Sequence, residues 1–260
     1  MSLNKLFLPF KMSYHLYQQP SDFINKNSIT DKVCVLDLDA TLLSTADDMI
    51  SFKELGILSN PNLVGLRRRC YCLKLTGVEK RGDGSTYSFW GIKRPHIDEW
   101  LLFALSYFRL VLIFSAGAFG YVHAIVDDIF KDLRPPDLVW TFDDIEKDAD
   151  GEVLKPLTKL MNSDFKYKHL IKKENTLFID DNPSTFALNK RNAVHIPEYS
   201  PELTVEDLEK DDIALLQLKY FLLLPHVIHS DDITKVDMTT IFDHDYRDYQ
   251  NIANMYAESN

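Results

Sequence analysis

Four short apolar runs constrain this chain more than any other feature. Val33-Cys34-Val35-Leu36, Leu110–Phe114, Leu138-Val139-Trp140 and Thr176-Leu177-Phe178-Ile179 lack the apolar/polar alternation of a half-exposed strand. A strand covered by helices on both faces is apolar on both sides, and such strands belong to parallel sheets. Helical patterns over residues 96–107, 120–133 and 157–162 lie between the runs. Strands alternating with helices require right-handed crossovers, so the chain is expected to fold as α/β, with a Rossmann-like parallel sheet and helices on both faces. A short run at Val194-His195-Ile196 reads as an added edge strand.

Residues 100–122 are apolar and long enough for a bilayer-crossing helix. Arg109 stands near the middle, where an arginine costs roughly 2.5–3.5 kcal/mol on insertion scales. The residue types also change there, from helix formers to a β-type run ending at Ser115, so helix followed by buried strand is the better reading. With 45% hydrophobic and 26% charged residues, the chain can bury a full core. A net charge of −10 argues against direct nucleic-acid binding, which needs a basic surface. Cys34, Cys70 and Cys72 make no disulfide framework, and residues 1–12 lack the apolar core of a signal peptide; the expectation is an intracellular protein, nuclear or cytoplasmic, with no membrane association.

The alternation breaks at residues 64–94. Residues 64–78 and 85–92 read as two strands joined at Lys80-Arg81-Gly82-Asp83-Gly84, a β-hairpin insert after the first strand. Eight Lys and Arg against Glu79 and Asp83 give the insert +6, either a solvated edge or an attraction for an anionic substrate. The expected organisation is an N-terminal extension over 1–29, an α/β domain over 30–200 carrying the insert, and a helical segment with an acidic tail over 201–260. The helix is expected to run from 201 to 224. Asp243-His244-Asp245 has metal-ligand residue types, but a solvated tail is the simpler reading of the last thirty-odd residues.

In an open parallel sheet, ligands bind at the carboxyl ends of the strands. Three of the runs end there in polar residues: Asp37-Leu38-Asp39-Ala40-Thr41, Ser115, and Asp180-Asp181. Any one of these is explained as a turn former. Together they concentrate up to four carboxylates, which is costly without a cation. Mg2+ suits hard oxygen ligands and binds through one or two carboxylates plus a substrate phosphate. Phosphoryl transfer then assigns the roles: Asp37 as nucleophile, Asp39 as acid and base, and Lys155 and Ser115 as the groups on the phosphoryl oxygens. A cysteine phosphatase is excluded, because none of the three cysteines has an arginine six positions on. A receiver domain is disfavoured, since its acidic pair precedes the phosphorylated Asp and here the pair at 180–181 comes last.

Asp37-Leu38-Asp39-Ala40-Thr41-Leu42, Ser115, Lys155 and Asp180-Asp181, in this order, resemble the haloacid-dehalogenase superfamily. The chain is most similar there to the RNA polymerase II C-terminal-domain phosphatases, the NLI-interacting-factor-like family. Lys93-Arg94-Pro95-His96-Ile97-Asp98-Glu99-Trp100-Leu101 and Phe178-Ile179-Asp180-Asp181-Asn182-Pro183 add to the likeness, which covers roughly residues 30–200. The resemblance implies a Mg2+-dependent protein serine/threonine phosphatase acting on phosphopeptides. It implies that Asp37, Asp181, the carbonyl of Asp39 and, in support, Asp180 serve the metal, and that Thr41 orients the motif. Substrate contacts are expected from Ser115, Lys155, Arg94 and Phe89, with Tyr87 and Trp90 either lining an apolar pocket for proline or packing beneath the insert. Ala40 replaces the Glu or Gly frequent in relatives. Two alternatives remain, a phosphatase of small molecules or nucleic-acid ends and a catalytically idle phosphoprotein-binding scaffold.

Overall fold

The structure, a computed structural model, describes residues 25–46, 49–76 and 86–258. The N-terminal extension up to residue 24 and the turn at 80–84 lie outside the described residues. The chain runs through β1 (Val33–Leu36), β2 (Leu43–Ala46), α1 (Met49–Glu54), α2 (Val64–Arg69), β3 (Cys70–Thr76), β4 (Thr86–Lys93) and α3 (Ile97–Tyr107). It continues with β5 (Leu110–Phe114), α4 (Phe119–Ile129), β6 (Leu138–Trp140), β7 (Glu146–Lys147), β8 (Val153–Leu154) and α5 (Leu157–Asn162). It ends with β9 (Thr176–Asp180), β10 (Ala193–His195), α6 (Val205–Leu208), α7 (Ala214–Leu222), α8 (Pro225–Ile228) and α9 (Tyr246–Glu258).

The four apolar runs and the short edge strand form one parallel sheet in the order β10-β9-β1-β5-β6. Side chains alternate across a strand, so β1 feeds two cores. Cys34 and Leu36 join a core with α3, α4 and α7, through Trp100, Leu101, Ile125, Leu215 and Leu218. Val33 and Val35 face Leu157, Leu160, Phe165 and Tyr167. Register decides where the chemistry sits. Leu36 pairs with Ile113 on one side and Ile179 on the other, so Asp37 leaves the sheet level with Phe114 and Asp180. Among the described residues no helix is long and apolar enough to cross a membrane, and residues 100–122 divide into helix and strand as expected.

The insert differs from a simple hairpin. β2 joins it to make a three-stranded antiparallel sheet, β2-β4-β3, with Cys70 paired to Ile92 and Thr86 to Thr76. Residues 64–69 are helix α2, not strand, because Leu63 and Leu66 dock under the sheet beside Trp90 and Phe52. Much of the insert's positive charge is spent internally. Arg67 donates to the carbonyls of Ile57 and Asn60, Arg69 to those of Lys93 and Leu208, and Lys93 pairs with Asp128 at 2.7 Å.

The C-terminal part is not one helix followed by a solvated tail. Residues 201–224 hold two helices, α6 and α7, separated by a turn. Beyond them Ile233, Met238, Ile241 and Tyr249 are buried in the main core, and α9 lies against α7. The Tyr249 hydroxyl donates to the Ile241 carbonyl at 3.2 Å. The His244 carbonyl accepts from Gln217 on α7 at 2.6 Å, and Asp245 pairs with Arg247, so this trio serves packing and not a metal. Ile233, Met238 and Ile241 fall in 3-10 turns and loops, where no period betrays them, and Tyr249 lies on α9. Tyr249→Ala is therefore expected to cost about 3 kcal/mol, measured as a shift of the urea midpoint at constant m. A solvated tail would keep the change within about 0.5 kcal/mol.

Candidate active site

The register brings the strand ends together. Lys155, 2% exposed, places Nζ 2.5 Å from Asp37 Oδ1 and 2.6 Å from Asp180 Oδ2. It is held from behind: its N–H donates to the Thr185 carbonyl at 2.7 Å, and its own carbonyl accepts from Asn189 Nδ2 at 3.0 Å. Asp180 Oδ1 accepts from the Asn182 N–H at 2.9 Å, and Asp181 Oδ1 from Thr41 Oγ1 at 3.0 Å. Asp37, Asp180 and Asp181 offer one carboxylate oxygen each, all within 4.8 Å of one another. Three converging carboxylates against one lysine leave negative charge uncompensated, and this donor set fits a hard divalent cation.

Ser115 ends β5, 1% exposed, and its Oγ accepts from the Gly117 N–H at 3.0 Å. Gly117 has no space for a side chain, since a Cβ would lie 2.9 Å from both Tyr121 and Val122. The Asp39 carboxylate sits in a set of hydroxyls. Tyr121 on α4 donates to Oδ1, as does Thr45 on β2 at 3.1 Å, and Thr45 also meets the Tyr71 hydroxyl at 2.6 Å. Tyr71 reaches Thr45 by lying across Gly91, where any Cβ would collide with its ring. Thr45, Tyr71 and Tyr121 escaped sequence reasoning, because each sits on a different element and none carries a motif.

Arg94 is not a substrate contact. Its side chain is fully buried. Nε and Nη2 grip Asp212 at 2.8 and 2.9 Å, Nη1 donates to the Thr41 carbonyl at 2.9 Å, and Nη2 also donates to the Pro197 carbonyl at 2.8 Å. Four of its bonds are thus used on protein acceptors, and breaking a buried pair of this kind costs about 3–5 kcal/mol. Phe89 is half-buried with its ring centroid 5.9 Å from that of Tyr121, on the insert side of Asp39. Trp90 is wholly buried against Phe52, a packing residue. Ala40, with φ 58°, holds the turn between Asp39 and Thr41 in the left-handed region, and the Tyr199 N–H braces its carbonyl at 2.6 Å.

Burial dominates the electrostatics. It pushes the Asp37 carboxyl from its ordinary 3.8 up to about 8; Lys155 opposes the shift and Asp180 adds to it. Burial also raises Asp39 and Asp181, opposed by hydrogen bonds from Tyr121 and Thr45 to the first and from Thr41 to the second. Lys155 is driven up by Asp37 and Asp180 despite its own burial, so it stays cationic. A carboxyl held by a cation beside a second carboxyl that burial raises is an arrangement suited to phosphoryl transfer.

A parallel sheet with these groups along its carboxyl edge is the arrangement that the resemblance to the haloacid-dehalogenase superfamily implied. The sequence pattern of the family described as NLI interacting factor-like phosphatase matches residues 32–234, and the chain belongs to that family. The match extends past Tyr199, so α6, α7 and α8 fall within the family's domain. The fold is similar to that of Fcp1, an essential RNA polymerase II CTD phosphatase, with a TM-score of 0.51 and 17% identity over 88% of this chain and 63% of that one. A fission yeast Fcp1 variant bound to beryllium fluoride gives a TM-score of 0.49 and 17% identity over 88% and 64%. The chain thus spans just under two thirds of each of these neighbours. No curated protein matches it.

Two outcomes follow. Between 3.8 and about 8 the folded protein keeps a proton on Asp37 that the unfolded chain has lost, so this group's contribution to stability falls as pH rises through that window. A divalent cation favours the charged carboxylates, so Mg2+ should raise Tm more at pH 8 than at pH 5; at a hundred times its Kd it adds ~2.7 kcal/mol of stability. An equal rise at both pH values would contradict the account. Ala40→Gly relieves the left-handed turn and should be neutral or stabilising by up to about 1 kcal/mol on chemical denaturation.

Proposed function

We propose that this protein is a Mg2+-dependent protein serine/threonine phosphatase working through an aspartyl-phosphate on Asp37. The observation that carries the reading is the contact of Asp37 with buried Lys155, beside Asp180 and Asp181, at the open rim of the sheet. Asp37 attacks phosphorus in line, and the bond from phosphorus to the serine or threonine oxygen breaks. Asp39, whose carboxyl burial shifts upward, gives its proton to the departing oxygen. Water then attacks the phosphoryl group, Asp39 takes up a proton from it, and the bond to Asp37 breaks to release inorganic phosphate. Lys155 and Ser115 with the N–H groups after it bind phosphoryl oxygens throughout. Asp37, Asp180, Asp181 and the Asp39 carbonyl would hold Mg2+, which would supply neutralising charge for the phosphoryl oxygens.

A phosphopeptide substrate is favoured by the modest insert, which puts a three-stranded sheet beside the site and no large cap domain over it. Phe89, partly exposed next to Tyr121, supports an apolar contact with a residue beside the phosphorylated one, and similarity to RNA polymerase II CTD phosphatases makes heptad phosphopeptides the first substrates to test. The three free cysteines support a reducing compartment, nucleus or cytoplasm.

Asp37→Asn should lower kcat on a phosphoserine peptide by at least ~10³-fold, and Asp39→Asn by about 10²–10⁴-fold. Chelation of Mg2+ should abolish turnover and its return restore it. Undiminished phosphate release from Asp37→Asn would refute the mechanism, and turnover of sugar phosphates or DNA 3′-phosphates in preference to phosphopeptides would refute the substrate class.

A further inference from the structure

The carboxylate of Asp181 is held, at three removes, by a residue outside the sheet. Asp212 lies in the turn before α7, 27% exposed at its side chain, and its Oδ1 also accepts from the Ala214 N–H at 3.0 Å, which fixes it to the start of that helix. It grips Arg94 with both oxygens. Arg94 donates to the Thr41 carbonyl, and the Thr41 hydroxyl donates to Asp181 Oδ1 at 3.0 Å while accepting from the Asp181 N–H at 3.1 Å. The turn that Arg94 grips contains left-handed Ala40, a conformation that persists only where the surroundings impose it. Without its carboxylate partner, the buried guanidinium has reason to swing toward water, and the Thr41 and Pro197 carbonyls lose their donor.

We propose that Asp212 is a positioning residue for the metal site, setting the Asp181 carboxylate through Arg94 and Thr41, so that the folded C-terminal segment completes the site. This rests on the reading of Asp37, Asp180 and Asp181 as a divalent-cation site. Removing a support of this kind behind a ligand costs about 10–100-fold in metal affinity or activity, and Asp212 acts here on the ligand Asp181 without touching Asp37, Asp39 or Lys155.

The test uses the full chain with Asp212→Asn, Asp212→Glu and the control Glu99→Gln. The control breaks the 2.6 Å Lys219–Glu99 ion pair, which ties the same helix α7 to α3 without touching Thr41 or Arg94. Mg2+ affinity is read by isothermal titration calorimetry, and kcat and the Mg2+ half-activation point with p-nitrophenyl phosphate. Asp212→Asn should weaken Mg2+ binding about tenfold and leave kcat at saturating Mg2+ within about twofold. Asp212→Glu should recover most of the affinity, and Glu99→Gln should match wild type. An Asp212→Asn protein that loses Tm yet binds Mg2+ like wild type would overturn the proposal. If Asp212→Asn does not fold, Arg94→Lys carries the test, since one ammonium cannot span the three acceptor groups; wild-type affinity there overturns it equally. A wild-type chain that takes up no Mg2+ refutes the metal site itself, and the inference with it.

Discussion

The site depends on one buried cation shared between two carboxylates. Lys155 reaches Asp37 and Asp180 from a position out of contact with water, and both acids stand on adjacent parallel strands whose register leaves no other arrangement. Removing Lys155 would leave two buried carboxyls without their cation, which costs more than the ion pair gains. Under the proposed mechanism the same arrangement serves the chemistry. With one oxygen of Asp37 on the lysine, the second is left for phosphorus, and Lys155, raised by Asp37 and Asp180 against its own burial, keeps its charge for the phosphoryl group.

Around this pair the protein divides its labour between rigid and braced parts. The sheet supplies the positions of Asp37, Ser115 and Asp180 through strand register alone. The turn after Asp37 has no such frame: it contains a strained residue at Ala40 and is held by Tyr199, Arg94 and, through Arg94, Asp212. Asp39 is fixed in turn by hydroxyls from β2 and α4. The two carboxylates of the motif thus have separate supports. Burial raises both carboxyls, and the rise is opposed at Asp37 by Lys155 and at Asp39 by the hydroxyls of Tyr121 and Thr45.

Much of the fold was legible because apolar runs without alternation have few structural meanings. β1, β5, β6 and β9 fall where continuous burial demanded, and the polar residues ending them meet at one edge because parallel strands align their carboxyl ends. What stayed hidden depends on tertiary contact. Arg94 looked like a substrate ligand because charge suggests solvent, yet it is sealed by Asp212, 118 residues further on. Residues 64–69 were read as strand, but docking of Leu63 and Leu66 beside Trp90 settled a helix. The acidic composition of the last thirty-odd residues concealed Ile233 and Ile241, which enter the core from turns, and Tyr249, which enters it from α9. Tyr121 and Thr45 carried no sign of their bond to Asp39, since the two elements that bring them together are defined by the fold alone.

The account claims above all that Asp37 takes up phosphorus while a divalent ion rests on Asp181. A crystal structure of the full chain grown with Mg2+ and beryllium fluoride tests this most directly. The account predicts beryllium bonded to a carboxylate oxygen of Asp37, its fluorides toward Lys155 and Ser115, and the metal against Asp181. A fluoride complex seated elsewhere, or an Asp37 that stays bare with metal and beryllium both supplied, would contradict it.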